Sequence, residues 1–203
     1  MKMKILLVDD HEIVRRGLKD ILAEEFPDAE FGEAREVAAA RGLLHQPDWK
    51  LVMLDINLPG ASGLDLIGEA RTAHPQAAVL VLSSYPEEEF ALQSFKLGAA
   101  GYLTKASVAD ELVLAVRKVL SGGKYVSAAL AENLATVLGG GAALTLHEML
   151  SPRELEVLRF VATGRTIKEI AAELSLSDKT IGTYRSRISE KLGLATNVEL
   201  TRY

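Results

Sequence analysis

The chain contains no cysteine. That excludes disulfides, thiol nucleophiles and Cys-ligated zinc, and it fits a reducing cytosol. No apolar run approaches the ~18 residues a membrane span needs. After Met1-Lys2-Met3-Lys4 there is no apolar stretch leading to a small-residue cleavage site, so no signal peptide is expected. Positive charge is also short: 23 Lys+Arg face 28 Asp+Glu, a net of −5, which taken alone argues against a nucleic-acid partner. Internal repeats and low-complexity tracts are absent apart from a run of glycines. What remains is ordinary globular composition, 48% hydrophobic and 25% charged over 203 residues. That is enough for one large domain or two small ones, and it rules out wholesale disorder.

The charge is unevenly spread. Residues 1–121 carry 13 basic and 19 acidic groups, a net of −6; residues 147–203 carry 9 and 8, a net of +1. Within the tail, Lys179, Arg185, Arg187 and Lys191 stand against Glu190 alone, a local +3. The whole-chain figure averages two different objects.

The front part alternates short apolar runs with amphipathic stretches. Residues 5–8, 51–54 and 79–82 are continuous apolar runs, the pattern of parallel strands covered on both faces, and 29–32 and 101–103 are weaker strand candidates. Helical patterns fall at about 12–25, 35–45, 62–73, 87–97 and 108–121. The alternation predicts an α/β domain with a doubly wound five-stranded parallel sheet. A short helix over 128–138 and the joint Gly139-Gly140-Gly141 follow. Beyond Met149 the pattern is a small all-α domain: a helix opened by Ser151-Pro152-x-Glu154, a second from Thr166 to Leu174, and a third from Ser177-Asp178 to Leu192 with Gly193 as its stop. The expected division is 1–121, a linker over 122–146, and 147–203.

Ligands of an open α/β sheet collect at the carboxyl ends of its strands. There the sequence puts Asp9 and Asp10 after strand one, Asp55 after strand three, Ser83 after strand four and Lys105 after strand five. A single Asp in such a place is usually a helix cap or turn residue. Four strand ends supplying three carboxylates, a hydroxyl and an ammonium make a site. Clustered carboxylates need a cation, and oxygen donors without Cys or His suit Mg²⁺. Lys105 and Ser83 offer a charge and a hydroxyl to phosphoryl oxygens. Asp55, between metal and lysine, is the candidate nucleophile toward phosphorus. His11 is expected to cap the first helix, and Glu87-Glu88-Glu89 to form a solvated helical first turn.

Leu7-Val8-Asp9-Asp10-His11, Leu54-Asp55-Ile56-Asn57-Leu58-Pro59-Gly60 with Gly63, Leu82-Ser83-Ser84 and Gly98-Ala99-x-Gly101-Tyr102-Leu103-x-Lys105 resemble a response-regulator receiver domain in order and spacing. The resemblance implies phosphorylation of Asp55 by a histidine kinase. It implies Mg²⁺ on Asp10, Asp55 and the Asn57 backbone carbonyl, with Asp9 assisting through water. Ser83 and Lys105 would take the phosphoryl oxygens, Tyr102 would turn inward on activation, and the surface around 90–103 would carry the change. Ala106 departs from the proline that many receivers carry there.

In the tail, Leu150-Ser151-Pro152-Arg153-Glu154, Gly164, Lys168-Glu169-Ile170-Ala171, Leu176-Ser177-x-Lys179-Thr180-Ile181 and Lys191-Leu192-Gly193 are similar to the LuxR/NarL-type helix-turn-helix domain. The resemblance makes 177–191 the recognition helix, seated in the major groove. Ile181, Tyr184, Ile188 and Leu192 would face inward. Lys179, Thr180, Thr183, Arg185 and Arg187, with Lys191 further on, would face DNA. Gly182 replaces a polar residue of many relatives, and a fourth, dimerising helix is expected where the chain reaches Tyr203.

The expected protein is a cytoplasmic, phosphorylation-switched, double-stranded-DNA-binding homodimer, not an enzyme beyond turnover of its own aspartyl phosphate. A phosphatase or phosphotransferase built on Asp55 would need an acid two residues on, and position 57 is Asn. A DNA binder with a degenerate receiver would not keep Asp9, Asp10, Asp55, Ser83 and Lys105 together.

Overall fold

The continuous apolar runs become the central strands of a parallel sheet. In the computed structural model, which describes residues 2–58, 62–136, 150–174 and 176–194, the strands are Lys4–Val8 (β1), Glu30–Ala34 (β2), Trp49–Asp55 (β3), Ala78–Ser83 (β4) and Gly101–Thr104 (β5). All pairings are parallel, in the order β2-β1-β3-β4-β5. The helices Glu12–Glu25 (α1), Val37–Leu44 (α2), Leu64–Ala73 (α3), Glu87–Lys96 (α4) and Val108–Leu120 (α5) alternate with them.

Alternate strand residues face opposite layers. Ile5, Leu7, Leu51, Met53, Leu80, Leu82 and Leu103 pack with Leu18 and Leu22 of α1 and Leu112, Val116 and Val119 of α5. Their neighbours Leu6, Val8, Val52, Leu54, Val79 and Val81 are equally buried on the other side. Double coverage is why these strands read as unbroken apolar runs. β2 gave no such run, because as an edge strand it is largely half-exposed. Its register against β1 (Glu30 beside Lys4, Ala34 beside Val8) carries it two residues past the expected end.

The first of two compact units, Met1–Ala142, extends beyond residue 121. Tyr125 is buried, its N–H donates to the Ala100 carbonyl at 2.9 Å, and its hydroxyl donates to Glu111 at 2.7 Å. The helix Ala128–Thr136 (α6) rests on α4 with Leu130 buried. Ser127 donates its hydroxyl to the Glu87 carboxylate. Glu87 is therefore not the solvated residue the sequence suggests; a contact 40 residues away covers it.

The second unit, Ala143–Tyr203, is helical wherever it is regular among its described residues: Pro152–Ala162 (α7), Ile167–Glu173 (α8) and Asp178–Leu192 (α9). Ser151 with Glu154, and Thr166 with Glu169, form reciprocal capping boxes, and the Ser177 side chain caps α9. Each satisfies amides that a helix start leaves unpaired. Gly193 stops α9 at φ 66°, a left-handed conformation that favours glycine. Glu154 is also the counter-ion of Lys191, 2.6 Å away, which ties α7 to the end of α9. The triple-glycine joint, Pro59-Gly60 and the expected fourth helix lie outside the described residues.

Candidate functional sites

β1 and β3 leave the sheet side by side, while the connections that follow them run to opposite sides, so a crevice opens beyond their carboxyl ends. Val8 pairs with Leu54, which brings the Asp9-Asp10 turn level with Asp55. Asp55 lies beside Leu82, and Ser83 beside Thr104, one residue before Lys105. The sheet register thus assembles the five expected residues.

Lys105 Nζ lies 2.7 Å from Asp55 Oδ2 and 2.7 Å from Asp9 Oδ2. Asp55 Oδ1 accepts the Asn57 amide at 2.7 Å. Asp9 Oδ1 accepts the His11 amide at 2.8 Å. Burial pushes the Asp55 carboxyl above the usual carboxylate range; Lys105 and the Asn57 amide offset this only in part, and the Asp9 charge adds to it. Burial works against the charge on Lys105, but Asp55 and Asp9 outweigh it and hold the ammonium above its ordinary range. One cation serves several carboxylates, so the cluster still lacks positive charge.

Ligand atoms of Asp9, Asp10, His11 and Asp55 lie within 4.8 Å of one another. Two residues after Asp55, Asn57 Oδ1 is buried with no hydrogen-bond partner. A crowded, oxygen-dominated, electron-rich set fits a hard divalent cation. His11 holds the N-cap position of α1, as expected, but its ring makes no capping hydrogen bond; it lies 2.7 Å from Asp10 Oδ1 and 3.1 Å from Asp9 Oδ1. Sequence reasoning missed this, and it missed Arg15, which is 2% exposed and donates to the Asp9 carbonyl at 2.7 Å. The available signal was a cation on the buried stripe Arg15, Leu18, Leu22 of α1.

Ser83 is fully buried, and its Oγ accepts the Tyr85 amide at 3.0 Å, so the hydroxyl proton can be given to a phosphoryl oxygen. Tyr102 is already inward: its ring is fully buried and its hydroxyl donates to the Tyr85 carbonyl at 3.2 Å.

Gly63 closes the loop after Asp55. A Cβ there would lie 2.2 Å from the Asp55 carbonyl oxygen and 2.7 Å from Ile56 Cα, both backbone atoms. Gly63→Ala is expected to cost about 1–3 kcal/mol by overpacking. It should also displace the Asp55–Asn57 backbone, so thermal melts should drop and phosphodonor-dependent labelling should fall with Asp55 still present.

In the second unit α9 buries Ile181, Tyr184, Ile188 and Leu192, as expected. Lys179, Thr183 and Arg187 are exposed, and Thr180 is half-exposed. At about 100° per residue these four fall within roughly a third of the helix circumference. Arg185 does not join them. It falls on the flank beside the buried stripe, and its Nε is shielded from solvent. Lys191 is exposed but engaged with Glu154. A Cβ at Gly182 would meet nothing within 4 Å, so packing does not require glycine there.

The description "Response regulator receiver domain" matches residues 5–117, and "Bacterial regulatory proteins, luxR family" matches residues 148–203. The response regulator GacA of Pseudomonas protegens is 33% identical over 201 residues, covering 98% of this chain and 93% of its own. The transcriptional regulatory protein UhpA of Escherichia coli (strain K12) is 37% identical over 205 residues, covering 98% and 95%. Among solved structures, RcsB from Salmonella enterica serovar Typhimurium, bound to promoter P1flhDC in the presence of the phosphomimetic BeF3-, aligns over 100% of this chain and 98% of its own. Its TM-score is 0.62 and its identity 26%.

Proposed function

Since the chain belongs to the response regulators that join a receiver to a LuxR-type helix-turn-helix, we propose that Asp55 is the phosphoacceptor and a histidine kinase its donor. The chain is a two-component, DNA-binding regulator of transcription. The observation that carries the finer reading is the buried Asp55 carboxylate, with Lys105 on one oxygen and the Asn57 amide on the other.

Asp55 attacks phosphorus with a carboxylate oxygen. The new bond is O–P, the bond broken is P–N to the phosphohistidine, and the imidazole leaves with the electron pair. The Asn57 amide orients the carboxylate. Lys105 transfers its contact from Asp55 to a phosphoryl oxygen, and Ser83 donates its hydroxyl to another. The carboxylates of Asp9, Asp10 and Asp55 and the Asn57 main-chain carbonyl would hold Mg²⁺, which would supply charge neutralisation for the site and the incoming group. Asn57 cannot serve as a general base, so return to the free carboxylate is slow self-hydrolysis, and the protein is otherwise no enzyme.

The signal leaves through Tyr85, whose amide holds Ser83 and whose carbonyl holds Tyr102. Because Tyr102 is already inward, the read-out is assigned to the Ser83–Tyr85 backbone and α4 rather than to a swing of that ring. The proposed division keeps 1–121 as receiver, 122–146 as connector with α6 against α4, and 147–203 as DNA-binding domain. Lys179, Thr180, Thr183 and Arg187 are proposed to meet DNA, in two copies of the chain on a two-fold site in the cytoplasm.

The test is a gel shift on promoter DNA with and without acetyl phosphate and Mg²⁺. The donor should add one phosphoryl group by mass and tighten DNA binding. A change in neither overturns the switch.

A further inference from the structure

We propose that Arg15 is a positioning residue for the metal-binding carboxylates, with Glu33 as its counter-ion; this rests on the Mg²⁺ reading above. Among the described residues Arg15 is one of the largest fully buried side chains, and it occupies an apolar stripe of α1 where leucine would pack. A buried guanidinium is retained at a desolvation cost of several kcal/mol unless it is well partnered. Its partners here are informative. Nη1 donates to the Asp9 main-chain carbonyl at 2.7 Å, and Nε, which makes no hydrogen bond, lies 3.5 Å from Glu33 Oε2 on β2 as an ion pair. Lys19 shares that carboxylate at 2.9 Å.

The cation therefore grips the backbone of the acidic turn and leaves its carboxylates alone. An arginine paired directly with the Asp9 or Asp10 carboxylate would compete with a metal ion for the same oxygens. Anchored on the carbonyl and neutralised from the far side by Glu33, it fixes the turn without occupying it. Asp9 is held on three further sides: its amide donates to the Ala34 carbonyl at 3.1 Å, Oδ1 accepts the His11 amide, and Oδ2 meets Lys105. Arg15 supplies the hold on the carbonyl that leads into Asp10. The placement parallels the outer partners that orient ligands in metal sites, whose loss typically lowers metal affinity about 10–100-fold.

Arg15→Met keeps the aliphatic volume and removes the grip. Titration calorimetry with Mg²⁺ alone should show the dissociation constant rising about tenfold or more. Acetyl phosphate labelling should slow at low Mg²⁺ and recover at saturating Mg²⁺, a split that a packing defect does not produce. Arg15→Lys should restore part of the affinity, and Glu33→Gln should weaken Mg²⁺ binding by a smaller factor. An unchanged Mg²⁺ constant in Arg15→Met, with stability alone reduced, overturns the proposal. If Arg15→Met does not fold, the Mg²⁺ constant of Glu33→Gln decides, and a wild-type value there overturns it. Absence of Mg²⁺ binding by the wild-type chain would refute the metal reading itself, a result distinct from either.

Discussion

Asp55→Asn should be inert to acetyl phosphate and more stable than the wild type. Both effects come from one carboxylate. The amide is isosteric, can still accept from Asn57 N–H, and leaves Lys105 paired with Asp9 at 2.7 Å, so no buried charge is orphaned. What disappears is an ionised group that burial disfavours and the Asp9 charge repels. The gain is expected on the scale of other single stabilising substitutions, about 0.5–2 kcal/mol. The sign follows from linkage. The folded-state pKa of Asp55 is raised, so its contribution is most favourable below the ordinary carboxylate range and is lost as pH rises through the folded value. The Asn variant should therefore out-melt the wild type at neutral pH without divalent cation, and the gap should close on acidification. Added Mg²⁺ should raise the wild-type melting temperature more than the variant's, because ligand that binds only the folded form stabilises it. Equal melting temperatures at neutral pH would show that Lys105 fully compensates the carboxylate.

Arg187→Ala should weaken DNA binding by about 1–3 kcal/mol, and the slope of log affinity against log salt should drop by about one phosphate's worth, ~0.9. Arg187 shares the exposed face of α9 with Lys179 and Thr183. Arg185→Ala should leave that slope near the wild-type value and lower the melting temperature instead, because its Nε is shielded from solvent. The pair separates two accounts of the same charge cluster. If Arg185→Ala flattens the salt dependence and Arg187→Ala does not, the DNA face lies on the other flank of the helix. Filter binding over a salt series, with both variants on one promoter fragment, reads the difference.

Legibility in the sequence depended on whether a feature is local. β1, β3 and β4 announced themselves because burial on both faces leaves no polar residue to interrupt them. The tail helices were legible from their caps: Ser151 with Glu154, Ser177, and Gly193 all act within a few residues. The acidic site was legible from strand ends alone. Arg15 and Glu87 were not, since each takes its role from partners brought together by the fold. β2 was misplaced by two residues because an edge strand has no double coverage to mark it. Arg185 was assigned by counting charges along the helix; its angular position, read against Ile181 and Leu192, puts it elsewhere. Tyr125 looked like linker because its neighbours Gly122, Gly123 and Lys124 are linker-like, yet it bridges Gly101 and closes the first unit.

The ammonium on which Asp9 and Asp55 converge has a consequence for biosynthesis. β1 pairs with β2 and β3, and β5 joins the far edge last. Lys105 lies 50 residues beyond Asp55 in the chain, so during translation the acidic residues emerge well before the cation that neutralises them. A nascent chain halted before β5 holds mutually repelling carboxylates at the end of an unfinished sheet. Chains long enough to carry residue 105 clear of the ribosome should therefore resist protease better than chains that end before β5.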